Sequence, residues 1–294
     1  MCLASASDTP RADGLQPEEN LELERQLKLI NKLPVQSFHT KFGYIVDCID
    51  INKQPAFDNP LLKNHKLQEA KVYLVSAPGN PYYAVSGTNS VYNPRVNKDQ
   101  TSSSHIWVQN GEGDGTNKIM VGWHTGCYNF GCSGFVQNYD TVGLTALGEI
   151  VDTSVINGKT HEITLSLKQD AKTKNWWLYY MGTPLGYYPS ELFTNLTSAD
   201  QVGWGGKTTT AVGTPTPPMG SGLFPDGNLV HASYFRNVAI QNQSRVDYGP
   251  QKDGSLLKTF TDKPKCFGVQ YYGDQGGDVG YSLQFGGPGG DCDN

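Results

Sequence analysis

The sequence predicts an all-β protein: an antiparallel β-sandwich preceded by a short N-terminal helical or extended pro-segment. Three observations carry that prediction. Short β-prone runs recur from about residue 69 to the end, separated by Gly, Pro, Asn and Asp. The run at residues 161–167 alternates polar and apolar side chains, as a half-buried strand does. The composition, with 34 Gly, 17 Pro and 16 Tyr against only 37% hydrophobic residues, suits many short strands joined by tight turns.

In chain order, residues 1–20 read as a flexible leader or the remnant of a signal peptide. The small residues from Met1 to Ser7 fit either the end of a signal or plain disordered sequence, because the basic start and apolar middle of a complete signal are missing. Residues 18–33 read as a helix with Leu21, Leu27, Ile30 and Leu33 on one face, stopped by Pro34. An extended piece follows at 44–49, then a turn-rich stretch at 54–60. Strands are expected at 71–75, 104–109, 119–123, 134–137, 161–167, 176–180, 233–240 and 280–285, with a brief helix near 190–197. No run of strands alternates with helices, so a βαβ architecture is disfavoured.

Charge and cysteine content narrow the function classes. With 23 basic and 28 acidic residues and no basic stripe, nucleic acid is a poor partner. No apolar run approaches the roughly 20 residues that span a bilayer. Six cysteines lean toward an oxidising compartment. Their spacing favours Cys127 with Cys132 and Cys266 with Cys292, leaving Cys2 and Cys48 unassigned; free buried thiols are the alternative. Asn195 and Asn242 begin glycosylation sequons, triplets that also arise by chance.

Common catalytic motifs are absent. Residues 219–222 and 132–134 do not complete a nucleophile elbow, and the glycines at 286–290 have no helix after them to cradle phosphate. His124, Cys127 and Cys132 match no standard zinc spacing, so neither a metal nor another cofactor is expected. Of five tryptophans, most read as core, with Trp123 and Trp204 as candidates for lining a cleft.

Several stretches in order nevertheless carry a resemblance. They are Gln54-Pro55-Ala56-Phe57-Asp58-Asn59-Pro60, Ser104-His105-Ile106-Trp107-Val108, Thr125-Gly126-Cys127-Tyr128-Asn129, Asn175-Trp176-Trp177-Leu178, Trp204-Gly205-Gly206 and Met219-Gly220-Ser221-Gly222. Together they resemble the neprosin family, a widespread plant group, with residues 21–68 similar to its activation peptide and 69–294 to its peptidase domain. The resemblance implies a secreted zymogen, in the cell wall or apoplast, whose β-sandwich is a glutamic endopeptidase cutting after proline. Two glutamates would act, one carboxylate activating water and a second carboxyl serving as acid.

This chain departs from that pattern. Met120 stands where the resemblance expects the first glutamate, and Lys207, following Trp204-Gly205-Gly206, where it expects the second. A thioether accepts no proton from water, and an ammonium opposes the role. A strand-containing stretch expected between Trp123 and Thr125 is also missing, which would leave an unpaired sheet edge or force a new pairing. Glu112, Asp114, Glu149 and Glu162 are the carboxylates weighed as substitutes, with Glu162 expected to face solvent. The expectation is a catalytically inactive homologue that keeps its cleft for a proline-containing polypeptide, a cell-wall ligand or its own N-terminal segment. The alternative is an active acid endopeptidase using a relocated carboxylate pair.

Overall fold

The computed structural model describes residues 2–5, 36–39, 45–48, 65–97, 100–112, 116–125, 136–137, 151–211, 213–251 and 256–292. The chain divides into two compact units, one of residues 1–64 with 129–135, the other of 65–128 with 136–294. In the first, β1 (Cys2–Ser5), β2 (Gln36–His39) and β3 (Ile45–Cys48) form a small antiparallel sheet in the order β1-β3-β2, with Cys2 in register with Cys48. The helix expected at 18–33 lies outside the described residues, as do Cys127 and Cys132.

The second unit is a sandwich of two antiparallel sheets. Its strands are β4 (His65–Val75), β5 (Ala84–Ser90), β6 (Thr101–Asn110), β7 (Asn117–Thr125), β8 (Val136–Gln137), β9 (Glu162–Gln169), β10 (Trp176–Tyr180), β11 (Thr183–Tyr188), β12 (Gln201–Ala211), β13 (Ser233–Gln241), β14 (Leu257–Thr261), β15 (Gly268–Asp274) and β16 (Tyr281–Gly286). The larger sheet runs β15-β16-β13-β5-β9-β10-β11-β8, the smaller β14-β4-β12-β6-β7. Among the described residues nothing pairs outside β7, which therefore ends the smaller sheet where the sequence passes directly from Trp123 to His124 and Thr125.

Side-chain alternation decides what faces inward. In β9, Ile163, Leu165 and Leu167 are buried while Glu162, Thr164 and Ser166 are half-buried on the other side. Val72, Ile106, Val108 and Val121 of the smaller sheet are buried likewise, giving an apolar interior whose burial drives folding. Tight turns serve the same end: β10 and β11 are joined by Met181 and Gly182, both at positive φ (48° and 83°), the two-residue turn whose twist matches paired strands. A disulfide between Cys266 and Cys292, with Cα atoms 5.8 Å apart, clamps the segment before β15 to the segment after β16. The helix expected near 190–197 is only a 3₁₀ turn, Ser190–Leu192, because Phe193 is already extended at φ −118°.

Two tryptophans join the sheets. Trp204 is fully buried and donates its Nε1–H to the Ser86 carbonyl at 2.9 Å. Trp123 is 6% exposed and donates to the Ser90 carbonyl at 2.9 Å. Beside them, Asn89 Nδ2 donates to Ser104 Oγ at 2.8 Å. A buried indole N–H without an acceptor would be costly, so these bonds fix both rings in the interior. The expectation that Trp123 and Trp204 line a cleft is corrected accordingly: both face the core.

Candidate functional site

Strand register lays out the outward face of the smaller sheet as rows of side chains running β14, β4, β12, β6, β7. One row reads Glu69, Lys207, Ser103, His124. Asp262 extends it beyond β14, accepting the Glu69 N–H at 3.1 Å and donating its own N–H to the Glu69 carbonyl. The next row is Phe260, Lys71, Gly205, His105, Gly122, and the third is Lys258, Tyr73, Gly203, Trp107, Met120. Lys118 lies one row further along β7, opposite Gln109.

Met120 and Lys207 therefore share this face but are not neighbours. They are two strands and four residues apart, roughly 16 Å between backbones at about 4.8 Å per strand and 3.3 Å per residue. His105 lies on the diagonal between them.

The glycines in these rows keep the floor low. A Cβ on Gly205 would run into the Ala70 carbonyl oxygen and stand 2.7 Å from Lys71 Cα. A Cβ on Gly203 would come within 2.7 Å of the Trp107 ring, which lies across it. Only glycine allows this approach of strand to strand and of ring to backbone. The next glycine, Gly206, points the other way, and a Cβ there would meet Phe285 and Met219 in the core. The Trp-Gly-Gly triplet is thus one inward anchor, one outward floor position and one core contact.

Over this floor three lysines converge. Lys71 Nζ bonds Glu69 Oε2 at 2.5 Å and lies 5.2 Å from the Phe260 ring, 5.7 Å from Tyr73 and 6.0 Å from Trp107. Lys118 Nζ sits 4.3 Å over the Trp107 ring, a cation–π geometry. Burial lowers the Lys118 ammonium to about 8; Glu69 opposes that shift, while Lys71 and Lys207 add to it. Lys207 is lowered as well, first by burial, with Glu69 opposing and Lys71 assisting. Burial raises the Glu69 carboxyl, but the Lys71 hydrogen bond and the charges of Lys71, Lys118 and Lys207 outweigh it, and the net shift is downward. His105 is held neutral, well below its ordinary range, by burial and by the same three lysines. Trp107 is 1% exposed, and its Nε1 has no hydrogen-bond partner.

Other residues singled out by the sequence lie elsewhere. Glu112 is exposed in the β6–β7 turn, and Asp114 and Glu149 fall outside the described residues. Glu162 is on the outer face of the larger sheet, one-quarter exposed and held in a fork by Arg236 at 2.7 and 2.8 Å with the Tyr234 hydroxyl at 2.6 Å, so it is not simply solvated as expected. Asn195 is exposed, and Asn242 is half-buried in the turn after β13. Sequence reasoning missed Glu69, Lys71 and Lys118, whose only signal was their spacing at alternate positions in β-prone runs.

The neprosin family model matches residues 124–288, more than half of the chain, and the neprosin activation peptide model matches residues 37–122. The second match runs through β4, β5 and β6 and most of β7, so four strands of the sandwich fall largely or wholly within it. The two matches meet at Trp123. By these matches this chain belongs to the neprosin family.

Proposed function

We propose that this neprosin-domain protein has lost peptide-bond hydrolysis and retains the sandwich to bind a polypeptide or cell-wall ligand on the outward face of its smaller sheet. Acid–base hydrolysis needs a carboxylate and a carboxyl within reach of one water. The observation that carries the reading is Lys207. At that position an ammonium faces Glu69, whose carboxylate is already bonded to Lys71. Glu69 is held ionised by three cations, which suits it to pairing rather than to cycling a proton.

A second reading has one observation in its favour. Asp262 adjoins Glu69, and its carboxyl is raised, first by burial and also by the Glu69 charge, while Glu69 is lowered. Two carboxyls pushed in opposite directions are what an acid and a base require. Against it, Asp262 Oδ1 is engaged with the Glu69 backbone N–H, and Lys71 already occupies the carboxylate of the would-be base.

Secretion is part of the proposal. It is supported by the Cys266–Cys292 bond, since such cross-links persist in oxidising compartments, and by the exposed sequon at Asn195. The deciding experiment incubates the full chain at acidic pH with a proline-containing peptide and follows cleavage by mass spectrometry. No turnover is expected. Turnover that disappears in both Glu69→Gln and Asp262→Asn would establish the second reading in its place.

A further inference from the structure

The family frame says where a ligand would lie but not what kind this altered face would take. We propose that Lys118 and Lys207, with Trp107 and the walls of Tyr73 and Phe260, form a subsite for the carboxylate of an acidic side chain on an extended peptide. This rests on the reading of the face as a binding surface and adds the class of ligand.

The first argument is charge. Lys71, Lys118 and Lys207 converge on one buried carboxylate, Glu69, and Lys71 already pairs with it. Among the described residues, Lys118 and Lys207 have no ion-pair partner of their own in this partly desolvated place. The remaining acid in those rows, Asp262, is at the exposed rim and bonds a backbone amide. Buried like charges raise the energy of the empty site, and a bound anion relieves it. Both lysines carry that strain as a reduced proton affinity.

The second argument is independent of charge. The Trp107 Nε1–H is buried and unpaired, whereas Trp123, Trp176 and Trp204 each donate to a carbonyl. A donor left unpaired on the ring that Lys118 covers at 4.3 Å is the complement of an acceptor-rich anion. Apolar rings on either side, Tyr73 at 6.2 Å from Trp107 and Phe260 across Lys71, give the flanking contacts that a peptide offers and a small free anion does not.

The site should weaken in alkali. Lys118 feels Glu69 and Lys71 from β4, Lys207 from β12 and His105 from β6. His105 is already neutral, and the acids are already charged. Loss of the Lys118 proton through about 8 is therefore the first change, and it removes half of the uncompensated positive charge.

The test is calorimetric titration of the full chain near neutral pH with a capped Phe-Glu-Phe-Glu peptide and its Phe-Gln-Phe-Gln counterpart. The glutamate peptide should bind at least tenfold more tightly. That preference should shrink several-fold in Lys207→Gln and in Lys118→Gln, and again in wild type above pH 9. Equal binding of the two peptides by wild type overturns the proposal without any variant that might misfold, and so does a preference that both lysine variants retain. Alginate, a polyuronate, is the competing probe, and tighter binding of alginate than of the glutamate peptide overturns the peptide assignment. A cleavage assay on the same peptides keeps the outcomes separate: hydrolysis would sink the inactive reading, and absent carboxylate preference would sink this one.

Discussion

The two sheets each carry an ionic cluster on the outer face, and the clusters are built to different rules. On the larger sheet Glu162 is gripped by both arms of the Arg236 guanidinium and by Tyr234, so each charge meets its opposite and the fork is filled. On the smaller sheet three lysines share one well-buried glutamate. A balanced, bidentate pair holds structure together. An unbalanced one spends stability, and folded proteins tolerate that mostly where something is to be bound. The contrast separates a structural cluster from a candidate site without reference to any known relative.

The largest expected effect is on the larger sheet. Removing the disulfide with Cys292→Ala frees a closed segment of 26 residues, and chain entropy alone makes that worth about 3.5 kcal/mol. Urea unfolding should record it, with carboxylate binding by the folded protein unchanged. Next comes a pair of substitutions of opposite sign. Arg236→Met strands Glu162 and should destabilise by about 2 kcal/mol, given its partial exposure. Lys207→Met removes an uncompensated cation and should stabilise by about 1 kcal/mol. If both destabilise equally, the two clusters do not differ as described.

The last test is the pH dependence. Because the folded Lys118 is lowered to about 8, the unfolded chain holds an extra proton between about pH 8 and 10. Stability contributed by this group therefore rises with pH in that window, at no more than about 1.4 kcal/mol per unit. Above about pH 10 the sign reverses. Tyr82, raised to about 12 by burial, and Tyr234 and Tyr271, also raised by burial, keep protons that the unfolded chain releases, so stability falls. Lys118→Met should reduce the rise and leave the fall.

How much of this the sequence disclosed depended on which signal each element carries. β9 alternates cleanly and was legible. β12, the centre of the smaller sheet, is not among the expected strands because Gly203, Gly205 and Gly206 weaken its pattern, yet close approach of Trp107, Lys71 and Phe285 is what requires them. β5 hid for a similar reason, its Ser-Gly-Thr-Asn being buried between strands rather than exposed in a turn. The Cys266–Cys292 pair followed from spacing. Met120 and Lys207 were singled out by family resemblance alone, and their separation along the diagonal needs the register of β6 with both neighbours. Trp123 and Trp204 were assigned to the wrong side because motif identity says nothing about the parity of a strand. Glu69, Lys71, Lys118 and Trp107 come from three strands and meet only when those strands pair.

The division of β4, β6, β7 and β12 into inward and outward positions has a consequence for descent. Every side chain that anchors these strands to the interior sits at odds with every side chain that faces outward, so the two sets mutate almost independently. A lineage can exchange acids for bases on the outside one codon at a time while Trp204, Ile106 and Val72 stay put. Chemistry on such a surface is cheap to rewrite, and a fold of this kind can outlive the reaction it was first selected for.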